Sequence, residues 1–370
     1  MKILSSAIIY ENPLPQLCSK QSFFPNVAEK KDGTLLAAFA IGQAFESVDS
    51  ASYLSESADG GLTWSAPRPL MDWKGEEDRL TDYAKITALP DGRIVAMGYA
   101  YLRDDPTLPI GNPETGGLLD DFVFCALSED GGKSFGEVTK IPCAWGPHVE
   151  ASAPITVMKD GSWITPITGF PDWEGKAHGP ICGRALVSHD EGKTWNDDAV
   201  CMSFGEKQVT CYEQRMCQIE SGAIVCIGWN ERVTTGERLC NHYTLSYDDG
   251  RTWSAPRSTG VMGQASSVCA IGGNRILALH SVRRDTDRPG IYAYVVDLSG
   301  GVWDIIEQTV IWEPDAPITK DTKMAEIFSF LKFGQPGAIL LDNGDVMMSH
   351  WYCKNGQYST VATRISLSDN

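Results

Sequence analysis

The groups in this chain best suited to move protons and hold anions are six histidines and one arginine-rich loop. The histidines are His148, His178, His189, His242, His280 and His350. An imidazole titrates near pH 6.5, so it can give or take a proton at a reacting oxygen under ordinary conditions. In the stretch SVRRDTDRPG, Arg283, Arg284 and Arg288 can grip a carboxylate through paired N–H bonds. The same arginines can instead pair with Asp285 and Asp287 as a solvated charged loop. The histidine spacing is not that of HExxH or a related ligand set, so neither a metal nor another cofactor is expected. The eleven cysteines are odd in number and form no CxxC pair. Most stand in apolar runs, such as Cys125 in FVFCAL and Cys226 in AIVCIG, where a thiol packs as a small hydrophobe. That pattern suits a reducing, cytoplasmic setting better than a disulfide framework.

These residues must be positioned by the rest of the chain, and the rest of the chain is repetitive. Four copies of one box occur: SADGGLTW at 57–64, SEDGGKSF at 128–135, SHDEGKTW at 188–195 and SYDDGRTW at 246–253. A degenerate fifth, DLSGGVWD, stands at 297–304. The Ser and Asp oxygens can accept backbone N–H bonds across a tight turn, and the closing Trp or Phe can fold back as an aromatic plug. A second repeat interleaves with the first, a turn ending in Gly followed by an apolar run. Its glycines are Gly33, Gly92, Gly161, Gly222, Gly273 and Gly344. Asp-Gly or Asn-Gly between β-rich runs is a hairpin signal. Each unit therefore reads as strand, hairpin, strand, long loop, strand, box turn, strand. Six such units predict an all-β chain, a six-bladed β-propeller of four-stranded antiparallel blades. It is read as a single domain over 1–370, with KILSSAIIY near the start pairing YSTVATRISL near the end to close the ring.

Composition narrows the partners. The formal net charge of −17 opposes binding to nucleic acid. No apolar run approaches the ~18 residues of a membrane span, and the apolar stretch of MKILSSAIIYENP, behind a single lysine, is short for a signal peptide.

Repeated Asp boxes on a six-unit β pattern resemble the sialidase superfamily, the BNR-repeat proteins, over nearly the whole chain. The resemblance implies a site at the central mouth, where innermost strands begin and second strands end, with the boxes on the far rim. Counting back nine residues from each hairpin glycine then indexes the mouth: Phe24, Tyr83, Ser152, Glu213, Gln264 and Gln335. Of these only Glu213 ionises near neutrality. Its segment YEQRMCQIESG resembles the one carrying the Glu that activates the family's Tyr nucleophile. Gln335 stands where that Tyr is due, and an amide cannot replace it. Phe23 stands in place of the first arginine of the family's carboxylate-binding triad. Trp229 stands in place of the second, with Arg232 three residues on, and Arg288 matches the third. The loop GQAFESVDSAS offers Glu46 and Asp49 for the family's acid/base Asp, with Asp49 the closer match.

The same indexing puts His148, His178, His280 and His350 on the mouth side. Trp173, Trp229, Trp351, Tyr99 and Tyr101 are candidates for stacking on sugar faces, and Asp172 and Glu174 lie in a loop long enough to reach over the mouth. The expected catalytic set is Glu213, Asp49, His350 and His148. The expected binding set is Arg288, Arg284, Gln335, Tyr83, Trp229, Arg232 and His280. The resemblance implies a sialidase-like glycoside hydrolase acting on an acidic sugar of a glycan with a non-standard catalytic set. The alternatives are a non-catalytic carbohydrate-binding propeller and a lyase directed at uronates.

Overall fold

A computed structural model describes residues 1–73, 79–284, 286–315 and 331–367. They form six antiparallel sheets around a central channel. The first blade is built from Gln21–Glu29, Leu35–Gly42, Ala51–Ser57 and Arg68–Pro69, running outward in that order. The second blade follows with Leu80–Ala88, Ile94–Leu102, Asp121–Ser128 and Thr139–Ile141. In the third, the innermost strand is broken into Val149–Glu150 and Thr156–Val157, both paired to Trp163–Gly169. The fourth and fifth blades begin with Tyr212–Gln218 and Ser266–Ala270. In the sixth, Phe333–Leu340 is innermost, and the outermost place is taken by Lys2–Tyr10, antiparallel to Gln357–Ser366. No helix among the described residues is long and apolar enough to cross a membrane.

The hairpins fall where Asp-Gly and its variants stand. Gly33 has φ +79° and Gly222 +93°, backbone that a side chain would strain. Strand alternation then gives each blade two apolar faces, and the packed residues form six clusters, one at each junction between neighbouring blades. At the first junction Leu36 and Leu54 of one blade meet Ile86, Ile94 and Phe124 of the next. Burying each such side chain contributes about 1.5–3 kcal/mol.

The boxes lie at the ends of third strands, on the rim away from the innermost strand entries. In the first, the Asp59 carboxylate accepts the Thr63 N–H at 2.9 Å and hydroxyl at 2.6 Å, and the Ser57 hydroxyl at 2.8 Å. These donors hold the Asp59 carboxyl down at about 2. The closing aromatics plug the seams. Trp64, Phe135, Trp195, Trp253 and the degenerate copy's Trp303 each pack against the cluster shared with the preceding blade.

Candidate active site at the channel mouth

Three of the innermost strands share one irregularity. Pairing with the second strand slips between Phe23 and Asn26, between Tyr212 and Arg215, and between Gly334 and Gly337. Inside each slip one residue is left-handed: Phe24 (φ +53°), Glu213 (+43°) and Gln335 (+41°). A bulge of this kind re-aims a side chain. Here all three line the same cavity of about 280 Å³ at the mouth, together with Tyr83 and Gln264. Holding a non-glycine residue left-handed costs of order 1 kcal/mol, which the surrounding sheet must offset.

Glu213 is held at both oxygens. Trp229 Nε1 donates to Oε2 at 2.7 Å, and the Gln335 side-chain amide donates to Oε1. Trp229 is itself fixed edge-on to Tyr212 at 4.8 Å between ring centres, and Tyr212 stacks on Phe170. The adjacent third blade supplies a second carboxyl, Glu150. Withdrawal from water and the neighbouring Glu213 charge push it up to about 7, against an opposing hydrogen bond from Ser152. Ser152 in turn accepts from Arg215 Nη1 at 3.0 Å. The site thus joins a carboxylate held by two N–H donors to a carboxyl raised by burial and by its neighbour's charge. Two carboxyl groups in one cavity can take acid and base roles.

Around this pair the walls are aromatic: Phe24, Phe45, Tyr83, Tyr99, Tyr101 and Trp351. Burial raises the phenols of Tyr83, Tyr99 and Tyr101 well above the ordinary tyrosine value, so they serve as neutral surfaces. One guanidinium enters the cavity, that of Arg283. It is 7% exposed, and Nη1 donates to the Phe333 carbonyl at 2.8 Å. Its Nε meets no acceptor among the described residues. Burial lowers it to about 10, partly opposed by the Glu213 charge. Gly334 makes room for it, since a Cβ there would lie 2.8 Å from Nη1.

Of the expected catalytic and binding sets, Glu213, Gln335, Tyr83 and Trp229 meet in this cavity, joined by the indexed Phe24 and Gln264, the stacking candidates Tyr99, Tyr101 and Trp351, and Arg283. The others do not. Asp49 is exposed and accepts the Gln43 N–H at 3.1 Å. Glu46, from the same loop, lines the cavity instead, its carboxyl raised by burial. His350 is fully buried and packs on Trp312, because strand alternation turns its neighbour Trp351 to the cavity and His350 to the blade seam. His280 is also fully buried, with Nδ1 3.2 Å from the Asn241 amide. Burial pushes both rings down to about 3. His148 lies outside the cavity, against His178 and 3.5 Å from Asp120. Arg288 forms a surface ion pair with Glu313, and Arg232 with Glu237 at 2.8 Å. Arg284 faces Glu231 at 3.5 Å, beside Trp229 but outside the main cavity. Asp172 pairs with His178 at 2.9 Å, and Asp285 lies outside the described residues.

Sequence reasoning missed Glu150, Lys85, Arg215, Phe45 and Phe170. For Lys85 a signal existed: it lies two residues after the indexed Tyr83 on a regular strand, and side chains two apart share a strand face. Arg215 follows Glu213 across a bulge and Glu150 precedes a break in its strand, so alternation reaches neither.

A family model described as a BNR repeat-like domain matches residues 110–346. No curated protein sequence matches the chain. Among solved structures, a Dyadobacter fermentans protein of unknown function is 19% identical with a TM-score of 0.75, the match covering 99% of each chain. The Hadza microbial sialidase Hz136 is 16% identical with a TM-score of 0.67, and the match covers 94% of this chain and 66% of that one. The Trypanosoma rangeli sialidase, in complex with the inhibitor DANA, is 14% identical with a TM-score of 0.63, over 98% of this chain and 58% of that one. At such identities the likeness establishes the fold. Its repeats, its six blades and the matched segment together place this chain in the BNR repeat-like family, as a propeller of sialidase-like fold.

Proposed function

We propose that the protein is a glycoside hydrolase acting on a glycan that carries an acidic sugar. The observation that carries this reading is the pairing of Glu213, held by the Trp229 and Gln335 donors, with Glu150, which keeps its proton near neutral pH. Glu150 would protonate the leaving oxygen while the Glu213 carboxylate attacks the sugar or activates water. Tyr83, Tyr99 and Trp229 would pack on sugar faces, and the Arg283 guanidinium, which lines the cavity, would receive the sugar's carboxylate. All eleven cysteines are free thiols, which fits action in a reducing compartment.

A panel of chromogenic glycosides of acidic and neutral sugars tests this reading, run with the wild-type chain and Arg283→Met. Turnover confined to acidic glycosides, with KM raised at least tenfold by Arg283→Met, supports it. Equal turnover of neutral glycosides by both proteins would remove the acidic-sugar assignment. Gln335, in the place of a nucleophile, favours one second reading, a propeller that binds the sugar without cleaving it. Saturable binding with no turnover across the panel would establish that alternative.

A further inference from the structure

The channel opens into a second cavity, of about 350 Å³, at the end opposite the mouth. Later residues of the same innermost strands line it, including Asn26, Thr156 and Cys217. Gln335 borders both cavities. Two cations, Lys85 and Arg215, face this rear cavity and not the mouth. They are 5% and 6% exposed.

Neither cation has a conventional partner. Among the described residues, no carboxylate oxygen lies within 4.0 Å of Lys85 or Arg215. The Lys85 ammonium donates to the Phe24 carbonyl and, at 3.5 Å, to Gln335 Oε1, leaving one of its three protons without an acceptor. Arg215 spends Nη1 on Ser152 Oγ and the Gln214 carbonyl, at 3.0 and 2.7 Å. Its Nε and Nη2 donate to no protein acceptor among the described residues. Burial and the Arg215 charge lower the Lys85 amine well below the usual lysine range, against the opposing charges of Glu213 and Glu150, which also act on Arg215. The nearby carboxyls, Glu213 and Glu150, line the mouth cavity, and Glu150 holds a proton near neutrality. Buried charges normally require a paired counter-charge.

We propose that Lys85 and Arg215 form a binding site for a small oxyanion, a single phosphate or carboxylate group, entered from the end of the propeller opposite the mouth. The planar Arg215 fork offers two parallel N–H donors, and Lys85 offers a point charge beside it. Glu29 and Asp342 border the same cavity. Their charge opposes extended polyanions and leaves room for a compact one. An anion held there favours the charged form of Lys85 over the neutral one, so binding weakens as pH rises. This site does not depend on the glycosidase reading, because binding there requires no turnover.

Titration of the purified chain with inorganic phosphate, and separately with acetate, against chloride at equal ionic strength tests the proposal. Saturable heat and a saturable rise in Tm are expected for phosphate, acetate or both, and which of them saturates identifies the class of group. Lys85→Met and Arg215→Met should each weaken binding at least tenfold, whereas Arg283→Met at the mouth should change it less than twofold. The wild-type chain gives a readout free of any folding defect, a saturable displacement of the Lys85 side-chain 15N signal by the same anion. The proposal is overturned if neither anion differs from chloride, if the Lys85 signal does not move, or if Arg283→Met abolishes binding while Lys85→Met spares it.

Discussion

Gln335 donates its side-chain amide N–H to Glu213 Oε1, joining the innermost strand of the sixth blade to that of the fourth across the channel mouth. The amide thereby acts as a clamp on a carboxylate, in the place where the sialidase resemblance implies a nucleophilic tyrosine. Both residues are left-handed inside matching bulges, so the contact depends on two local distortions as well as on two side chains.

The clamp has a measurable consequence. A hydrogen bond to a charged group is worth about 1.5–3 kcal/mol, so removing one donor should lower kcat/KM roughly 10- to 100-fold. Gln335→Leu and Trp229→Phe should each show such a loss on an acidic glycoside with Tm little changed. An unchanged kcat/KM in both variants would show that Glu213 needs no clamp.

Glu150 should set the alkaline limb of activity. Its proton, held up to about 7, is the one transferred to the leaving oxygen, so kcat/KM should fall as pH rises through about 7. In Glu150→Gln that limb should vanish along with most of the activity. The same shift bears on stability. Between about pH 4.5 and 7 the folded chain holds a proton that the unfolded chain has released, so this group's contribution declines as pH rises through that window. Urea midpoints at pH 5 and pH 8 in wild type and Glu150→Gln would check the sign.

His350 should behave as a structural liability rather than a catalyst. Neither ring nitrogen has a partner among the described residues, so His350→Leu should leave kcat unchanged and stabilise the fold by about 1 kcal/mol at pH 7. The unfolded chain takes up a proton near pH 6.5 that the buried ring refuses until about pH 3. The wild type therefore loses up to about 1.4 kcal/mol per pH unit for this group as pH falls through that window. His280 is shifted for the same reason, so His350→Leu should remove about half of their joint acid sensitivity.

The fold was legible because each of its devices is local. Ser-x-Asp-x-Gly-x-Thr-Trp closes a turn through its own side chains, and a turn ending in Gly before an apolar run marks each inner hairpin, so counting the two repeats counted the blades. Glu213, Gln335, Tyr83 and Trp229 followed from that register. Asp49 failed because the loop Gln43–Ser50 folds by its own hydrogen bonds and presents Glu46 instead. His350 and Arg284 failed by a single residue each. Their neighbours Trp351 and Arg283 face the cavity, and indexing from a distant glycine does not say which side of a strand a residue faces. Arg288 was placed by family position alone, and its partner Glu313 lies 25 positions on in the chain.

The boxes should matter for stability and not for chemistry. Trp195 plugs the seam between the second and third blades, so Trp195→Ala should cost about 2–4 kcal/mol and lower Tm by several degrees. KM for an acidic glycoside at 20 °C should not change. A raised KM with Tm preserved would place this box in substrate recognition.

The most direct measurement is kcat for Glu213→Gln on whichever acidic glycoside the wild type turns over fastest. The substitution keeps the size of the side chain and its contact with Trp229 while removing the charge. A fall in kcat of at least 1,000-fold, with Tm within a few degrees of wild type, is predicted. A folded Glu213→Gln protein that turns over at the wild-type rate would contradict the account.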